Sequence, residues 1–195
     1  MEGGEMQIGK LLTVAVLSAA VLGARPAAAD PPRTAGAPQV GLGFRYGASL
    51  EDAEINPWGT GIGLDAGYTL PSAVYLGGVV EYFFGEKVET EFGSAQGNIW
   101  QLMAEVGYDV GAGDSFVVRP KAGLGLATVS AETCSDSELF SGCISGSDSY
   151  LALAPGATFM LFTSSLSLSL DLRYEMIFGE GDTLDGVIFS LGFGF

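Results

Sequence analysis

The chain ends on "VIFSLGFGF", Val187 to Phe195. Val187, Phe189, Leu191, Phe193 and Phe195 are large and apolar, and Ser190, Gly192 and Gly194 between them are small. Alternation with period two marks a β-strand whose two faces meet different surroundings. The last residues of a soluble domain usually fray into water, so apolar weight at a terminus needs a surface to lie on.

The same period runs upstream through nearly the whole chain. It covers Val40, Leu42, Phe44 and Tyr46; Ile62, Leu64, Ala66, Tyr68 and Leu70; and Val74, Leu76, Val80, Tyr82 and Phe84. It resumes at Trp100, Leu102, Ala104, Val106, Tyr108 and Val110, then at Phe116, Val118, Ala122, Leu124 and Leu126. It continues through Leu151, Leu153, Ala157, Phe159 and Leu161, and through Leu166, Leu168, Leu170, Leu172, Tyr174 and Met176. The pattern predicts about eight strands of roughly 9 to 13 residues and no helix. The connections alternate long and short. Leu50–Trp58, Gly85–Gly97, Val129–Ser149 and Gly179–Gly186 are long, whereas Pro71-Ser72, Gly111–Ser115 and Thr163–Ser165 are tight. Consecutive hairpins follow, with every long loop at one end of the sheet and both termini at the other.

Volume decides which face is inside. Roughly forty apolar side chains cannot fit within an eight-stranded barrel, whose lining side chains already meet in the middle. The opposite face carries glycines, among them Gly41, Gly43, Gly47, Gly61, Gly63 and Gly67, and charges of both signs. Arg45, Arg119, Lys121 and Arg173 share it with Asp65, Glu81, Glu105, Asp109, Asp171 and Glu175. Such groups must pair if they converge in a low-dielectric lumen, because an isolated buried charge is prohibitive. The expected fold is therefore all-β: an eight-stranded antiparallel up-and-down transmembrane β-barrel, apolar face outward.

Aromatic placement supports lipid outside. Tyr46, Trp58, Tyr82, Phe84, Trp100, Tyr174 and Phe178 fall toward the long-loop ends; Tyr68, Tyr108, Phe116, Phe159 and Phe195 fall toward the tight-turn ends. Two belts at opposite strand ends suit the two interfaces of a membrane. Closure also pairs every backbone N–H and C=O, as hydrocarbon requires. Pro120 and Pro155 lie within the expected strands and predict bulges or local unpairing, since each deletes a ladder donor.

At the other end, Lys10 precedes the apolar run "LLTVAVLSAAVL" and Ala27 and Ala29 stand in a small-x-small pattern before Asp30. The run is shorter than the roughly 20 residues a membrane helix needs. Residues 1–29 are expected to be a cleaved signal peptide, 30–38 ("DPPRTAGAP" with its Asp start) an unstructured periplasmic lead-in, and 39–195 the barrel.

Composition closes off several functions. Eight Lys and Arg against 23 Asp and Glu give a formal charge of −15, which leaves no basic stripe for nucleic acid. Histidine is absent, so Ser-His-Asp and Cys-His sites are impossible and the commonest zinc ligand is missing. Cys134 and Cys143 lie in the polar stretch "ETCSDSELFSGCISGSD"; in an exported chain they are expected to form a disulfide. No cofactor motif occurs, and neither a cofactor nor a resident metal is expected.

With the leader, the hairpin rhythm and the ending in hand, the chain resembles the small bacterial outer-membrane β-barrels of the OmpA/OmpX type, over about Gln39 to Phe195. The resemblance implies a Gram-negative outer-membrane location, multi-pass, with both termini periplasmic. It implies that Val187, Phe189, Leu191, Phe193 and Phe195 act as the signal read by the outer-membrane assembly machinery. It also implies a monomer in contact with outer-membrane lipids and lipopolysaccharide, without the peptidoglycan-binding domain of OmpA.

The function expected is non-enzymatic, in envelope structure or surface interaction. The loops carry Glu51, Asp52, Glu54, Glu86, Glu89, Glu91, Glu132, Asp136, Glu138, Asp148, Glu180, Asp182 and Asp185 against the single base Lys87. Solvated loop surface accounts for them; the sharper reading is attraction of divalent cations shared with lipopolysaccharide, or of a basic partner. The alternatives are a narrow ion or small-solute channel and, more remotely, a lipid-modifying enzyme using only carboxylates near Asp65, Glu81 and Glu105.

Overall fold

The computed structural model describes residues 32–50, 56–90, 93–137, 140–163, 166–179 and 181–194. The signal peptide expected over 1–29, the loop acids Glu51, Asp52, Glu54, Glu91, Glu138 and Glu180, and the terminal Phe195 lie outside the described residues. Every regular element described is a strand: β1 (Pro38–Ser49), β2 (Gly59–Thr69), β3 (Val74–Phe83), β4 (Lys87–Thr90), β5 (Gly93–Tyr108), β6 (Val110–Gly111), β7 (Phe116–Ser137), β8 (Phe140–Phe162), β9 (Ser167–Phe178) and β10 (Thr183–Gly194).

Eight of these close a ring. The order β5-β3-β2-β1-β10-β9-β8-β7 is completed by β7 pairing back on β5, and all neighbours run antiparallel. The first and last strands meet from Gly41↔Gly194 to Ser49↔Gly186. The two short strands add no wall: β4 folds back on the start of β5, and β6 continues β5 beyond Asp109. Closure leaves no edge in the wall, which is the condition for a sheet to stand in hydrocarbon.

The alternation sets the faces as volume demanded. Leu42 and Phe44 are 62% and 67% exposed, whereas Arg45 between Phe44 and Tyr46 is 5% exposed. The same contrast recurs on each long strand, giving a greasy exterior and a packed interior.

Three expectations need correction, and the one at the prolines resolves to one of its two alternatives. The stretch from Val129 to Ser149 is a β-ribbon: β7 and β8 stay in register from Phe116↔Leu161 to Ser137↔Phe140, with Cys134 opposite Cys143. Beyond the membrane both ribbon faces meet water, so no alternation betrayed the strands. Likewise most of Gly85–Gly97 is the β4–β5 hairpin, from Lys87↔Gln96 to Thr90↔Gly93. Second, the lead-in is ordered from Pro32. It forms a turn, Ala35 N–H to Pro32 O at 2.8 Å, and docks on the barrel through Gly36 N–H to Thr69 O at 2.8 Å. Arg33 donates to Thr163 O at 2.9 Å and lies over the Phe162 ring.

Third, of the bulges or local unpairing expected at Pro120 and Pro155, local unpairing is what occurs: the prolines interrupt ladders without bulging them. The β5–β7 ladder stops at Gly107↔Lys121 and resumes as β6–β7 at Val110↔Val118; β8–β9 stops at Leu153↔Met176 and resumes at Gly156↔Arg173. Neither register shifts across its gap. Each proline keeps its partner on the other side, Pro120↔Ala157 and Ala122↔Pro155, so only the side missing its N–H yields. Fourth, Trp58 does not join the outer aromatic belt: it is fully buried inside the mouth of the barrel. Tyr46, Phe84 and Trp100 do stand outward at that end, and Tyr68 and Phe159 at the other.

Candidate functional site

Inward-facing side chains fill the lumen in successive layers. Nearest the tight turns, the Arg119 guanidinium grips Asp109, with Nε to Oδ1 at 2.5 Å and Nη2 to Oδ2 at 2.9 Å. It also donates to Gln39 Oε1 and lies 3.6 Å over the Tyr75 ring. The lead-in completes this layer, for buried Thr34 donates from Oγ1 to Asp109 Oδ2 at 2.5 Å, beside Thr69, which donates to the same oxygen at 2.9 Å.

Above it, Lys121 Nζ sits 2.8 Å from both Glu105 Oε1 and Asp171 Oδ2, and Thr158 donates to that Asp171 oxygen at 2.6 Å. On the opposite wall Arg45 bridges Glu81 Oε1 at 2.6 Å and Asp65 Oδ2 at 2.8 Å. Arg173 pairs with Glu81 and approaches Glu175 Oε2 at 3.5 Å. Gln101 donates to Glu81 at 2.5 Å and to Glu175 at 3.3 Å, tying the two carboxylates together. Arg45 finds room because Gly63 faces it: a Cβ there would stand 2.8 Å from the guanidinium nitrogens.

All ten charged residues expected in the lumen therefore point into it, and every one is in an ion pair. Four cations face six carboxylates. Only Asp65 keeps appreciable exposure, with 32% of its side chain open. A cavity of about 70 Å³ lies among them, lined by Arg45, Asp65, Glu105, Asp171 and Ser190. Asp171 Oδ1 and Ser190 Oγ have no protein hydrogen-bond partner, although their residues are cross-strand neighbours. The space suits about two waters bridging them.

The layer toward the long loops is apolar. Trp58, Phe83, Ile99, Ala127, Ala152, Ile177 and Ile188 form one buried cluster, with Val129, Tyr150 and Leu184 packed on it. Trp58 fills a socket made by glycine: a Cβ on Gly186 would lie 2.8 to 2.9 Å from its ring, and one on Gly47 would overlap it. Sequence reasoning missed this layer. The signal was present in "VVEYFF" and "EMIF", where apolar residues fill both parities and so must face inward as well as outward.

At the outer rim the disulfide Cys134–Cys143 joins β7 to β8. Glu86, Glu89, Glu132, Asp148 and Asp182 are exposed there, and Lys87 Nζ pairs with Glu89 Oε1 at 2.7 Å, holding that carboxyl below the usual range. Asp185 departs from the expected crown: it is buried on β10, accepting from the Tyr174 hydroxyl at 2.6 Å. Of the terminal residues, Phe189, Leu191 and Phe193 stand exposed on the outer face of β10 and Val187 half-buried.

These features define a small transmembrane barrel of the bacterial outer membrane with a filled lumen. The sequence matches the outer membrane protein beta-barrel domain family over residues 14–195, and the chain belongs to that family. No curated protein matches it. Among solved structures it is similar to Ail, the attachment invasion locus protein of Yersinia pestis, at 18% identity over 82% of this chain and 97% of that one, TM-score 0.58. It is also similar to a major outer membrane protein from Thermus thermophilus, at 15% identity over 82% and 99%, TM-score 0.61. A third is Neisserial surface protein A, at 17% identity over 80% and 94%, TM-score 0.50. At these identities the likeness is one of fold.

Proposed function

We propose that this chain is a non-catalytic, sealed barrel that holds an acidic surface outside the outer membrane, in envelope structure or surface interaction. On this reading residues 1–29 are removed on export, both termini face the periplasm, and β10 with Phe195 serves the assembly machinery. The barrel works as a monomer among outer-membrane lipids. Its crown attracts divalent cations shared with lipopolysaccharide, or a basic partner, through its field.

The observation that carries this is the lumen's filling: paired charges below, an apolar layer above, and buried carboxylates already committed to Arg or Lys. Such groups are poor candidates for proton transfer to a substrate. The sign of the crown favours a cationic partner; Ail, by contrast, has been captured with the heparin analogue sucrose octasulfate, a polyanion this surface would repel. A cation-preferring leak is the second reading, favoured by the excess of lumen acids over bases.

Planar-bilayer recording of the refolded chain tests the proposal. The expected result is no stable conductance; large, long-lived steps would make it a channel. Hydrolysis of lipid A, phospholipid or peptide that disappears in Glu105→Gln would overturn the non-catalytic reading.

A further inference from the structure

The inner face of the last strand is small. Ser190, Gly192 and Gly194 stand opposite Asp171, Ser169 and Ser167 on β9, and Gly192 and Gly194 meet Gly43 and Gly41 on β1. Space is what this seam supplies: a Cβ on Gly192 would stand 2.6 Å from Ser169 Oγ. The cavity of about 70 Å³ lies along it, with Asp171, Ser169, Ser190 and Asp65 in its wall. Asp171 and Ser190 are 7% and 4% exposed. Among the described residues, Asp171 Oδ1 and Ser190 Oγ are the buried side-chain atoms of the cavity wall that have no protein hydrogen-bond partner.

The charges at this cavity do not balance. Arg119 is committed to Asp109. Arg45 and Arg173 serve Asp65, Glu81 and Glu175, and there the shortfall falls on Glu175, which is tied to Gln101 and does not line the cavity. Lys121 alone serves both Glu105 and Asp171, at 2.8 Å from each. One carboxylate charge is therefore left over at the cavity wall, beside the unpartnered Asp171 Oδ1. Water satisfies the hydrogen bonding of Oδ1 and Oγ but cannot cancel that charge, and an uncompensated charge is what a buried network tolerates least.

We infer that the cavity is a binding site for one small monovalent cation such as sodium, held by Asp171 Oδ1 and Ser190 Oγ with water completing its shell. The inference goes beyond the proposed function, which needs no bound ion. Both holding atoms are oxygens, the ligands that hard cations take. A divalent ion fits worse. It overshoots the single surplus charge beside the Lys121 ammonium and the Arg45 guanidinium, and calcium asks for about six to eight oxygens. Asp65, on the same wall with 32% of its side chain open, gives ions from the bulk a way in. A proton on Asp171 or Glu105 is the competing way to balance the charge.

The test uses the refolded full chain in phosphatidylcholine nanodiscs at neutral pH, with sodium chloride replacing N-methylglucamine chloride at constant ionic strength. Carboxylate NMR is expected to show a saturable shift of Asp171 as sodium is added. The urea midpoint should rise over the same range, since an ion that binds only the folded chain stabilises it by mass action. Ser190→Ala, which keeps every charge, should raise the half-saturating sodium concentration about threefold to tenfold. Asp171→Asn should abolish the rise in midpoint, with heat-modifiable gel migration confirming that each variant is folded. Should Asp171→Asn fail to fold, Ser190→Ala decides alone.

No saturable shift, or an unchanged titration in Ser190→Ala, overturns the inference, for the cavity would then hold water alone. So does an Asp171 or Glu105 carboxyl that stays protonated with sodium present, and so does calcium saturating the Asp171 shift at a lower concentration than sodium. Conductance and hydrolysis are read separately on the same preparation. A silent, inert barrel whose Asp171 ignores sodium removes this inference and leaves the proposed function standing.

Discussion

The two halves of the lumen fill the same narrow space with opposite chemistry. Toward the tight turns Arg45, Arg119, Lys121 and Arg173 interlock with six carboxylates; toward the long loops six buried apolar side chains gather around Trp58. In the ionic half each group is tolerable only because its partner is there. In the apolar half each side chain is favourable alone and merely improved by fit. One half therefore fixes which strands can be neighbours, and the other excludes water from the mouth.

The sharpest way to break this contrast is Arg173→Met. Arg173 pairs with Glu81 and faces Glu175, and all three are buried. Its loss leaves Glu175 without a cation and Glu81 with Arg45 alone, and removing one partner of a buried pair costs about 3 to 5 kcal/mol. Urea unfolding in lipid vesicles is expected to show that loss, and Glu81→Gln added to Arg173→Met should recover part of it. A cost below about 1 kcal/mol would mean that the ionic half is wet and loosely coupled.

Trp58→Ala comes next. Truncating a buried tryptophan costs about 3 kcal/mol or slightly more, but leaves no orphan charge. The variant should remain folded by gel migration and pass more small ions than the parent. Because Gly186 exists to seat the ring, Gly186→Ala should be harmful in the parent and nearly neutral in Trp58→Ala. Additive costs would show that the socket is not what Gly186 provides.

Legibility in the sequence followed the same division. The eight walls and the ten lumen charges could be read because lipid outside and ions inside leave opposite parities on every strand, as at Phe44-Arg45-Tyr46. Parity failed where the pleat breaks. Trp58 lies just before Gly59, whose φ of 56° turns the chain, so the parity of Ile62 and Leu64 does not carry back to the indole. Parity also said nothing of the ribbon above the membrane, where Thr133, Cys134, Cys143 and Ile144 are exposed or half-exposed whichever way they face. Docking of the lead-in rests on Thr34 meeting Asp109, Gly36 meeting Thr69 and Arg33 meeting Thr163, contacts no local pattern announces.

A third setting of the same ionic chemistry lies on β4, where Lys87 and Glu89 pair in open water. Both side chains are more than half exposed, and the ammonium's hydrogen bond, then its charge, lowers the Glu89 carboxyl. A carboxyl lowered on folding contributes stability that is present above its unfolded value, near 4.3, and is lost as pH falls through the folded one. Lys87→Met should therefore move the Glu89 titration, followed by carboxylate NMR, upward toward that value. The urea midpoint at neutral pH should stay within measurement error, because solvent screens such pairs. A midpoint shift approaching that of Arg173→Met would erase the distinction between an ion pair inside the barrel and one outside it, and with it the reason for treating desolvation as what gives the lumen network its weight.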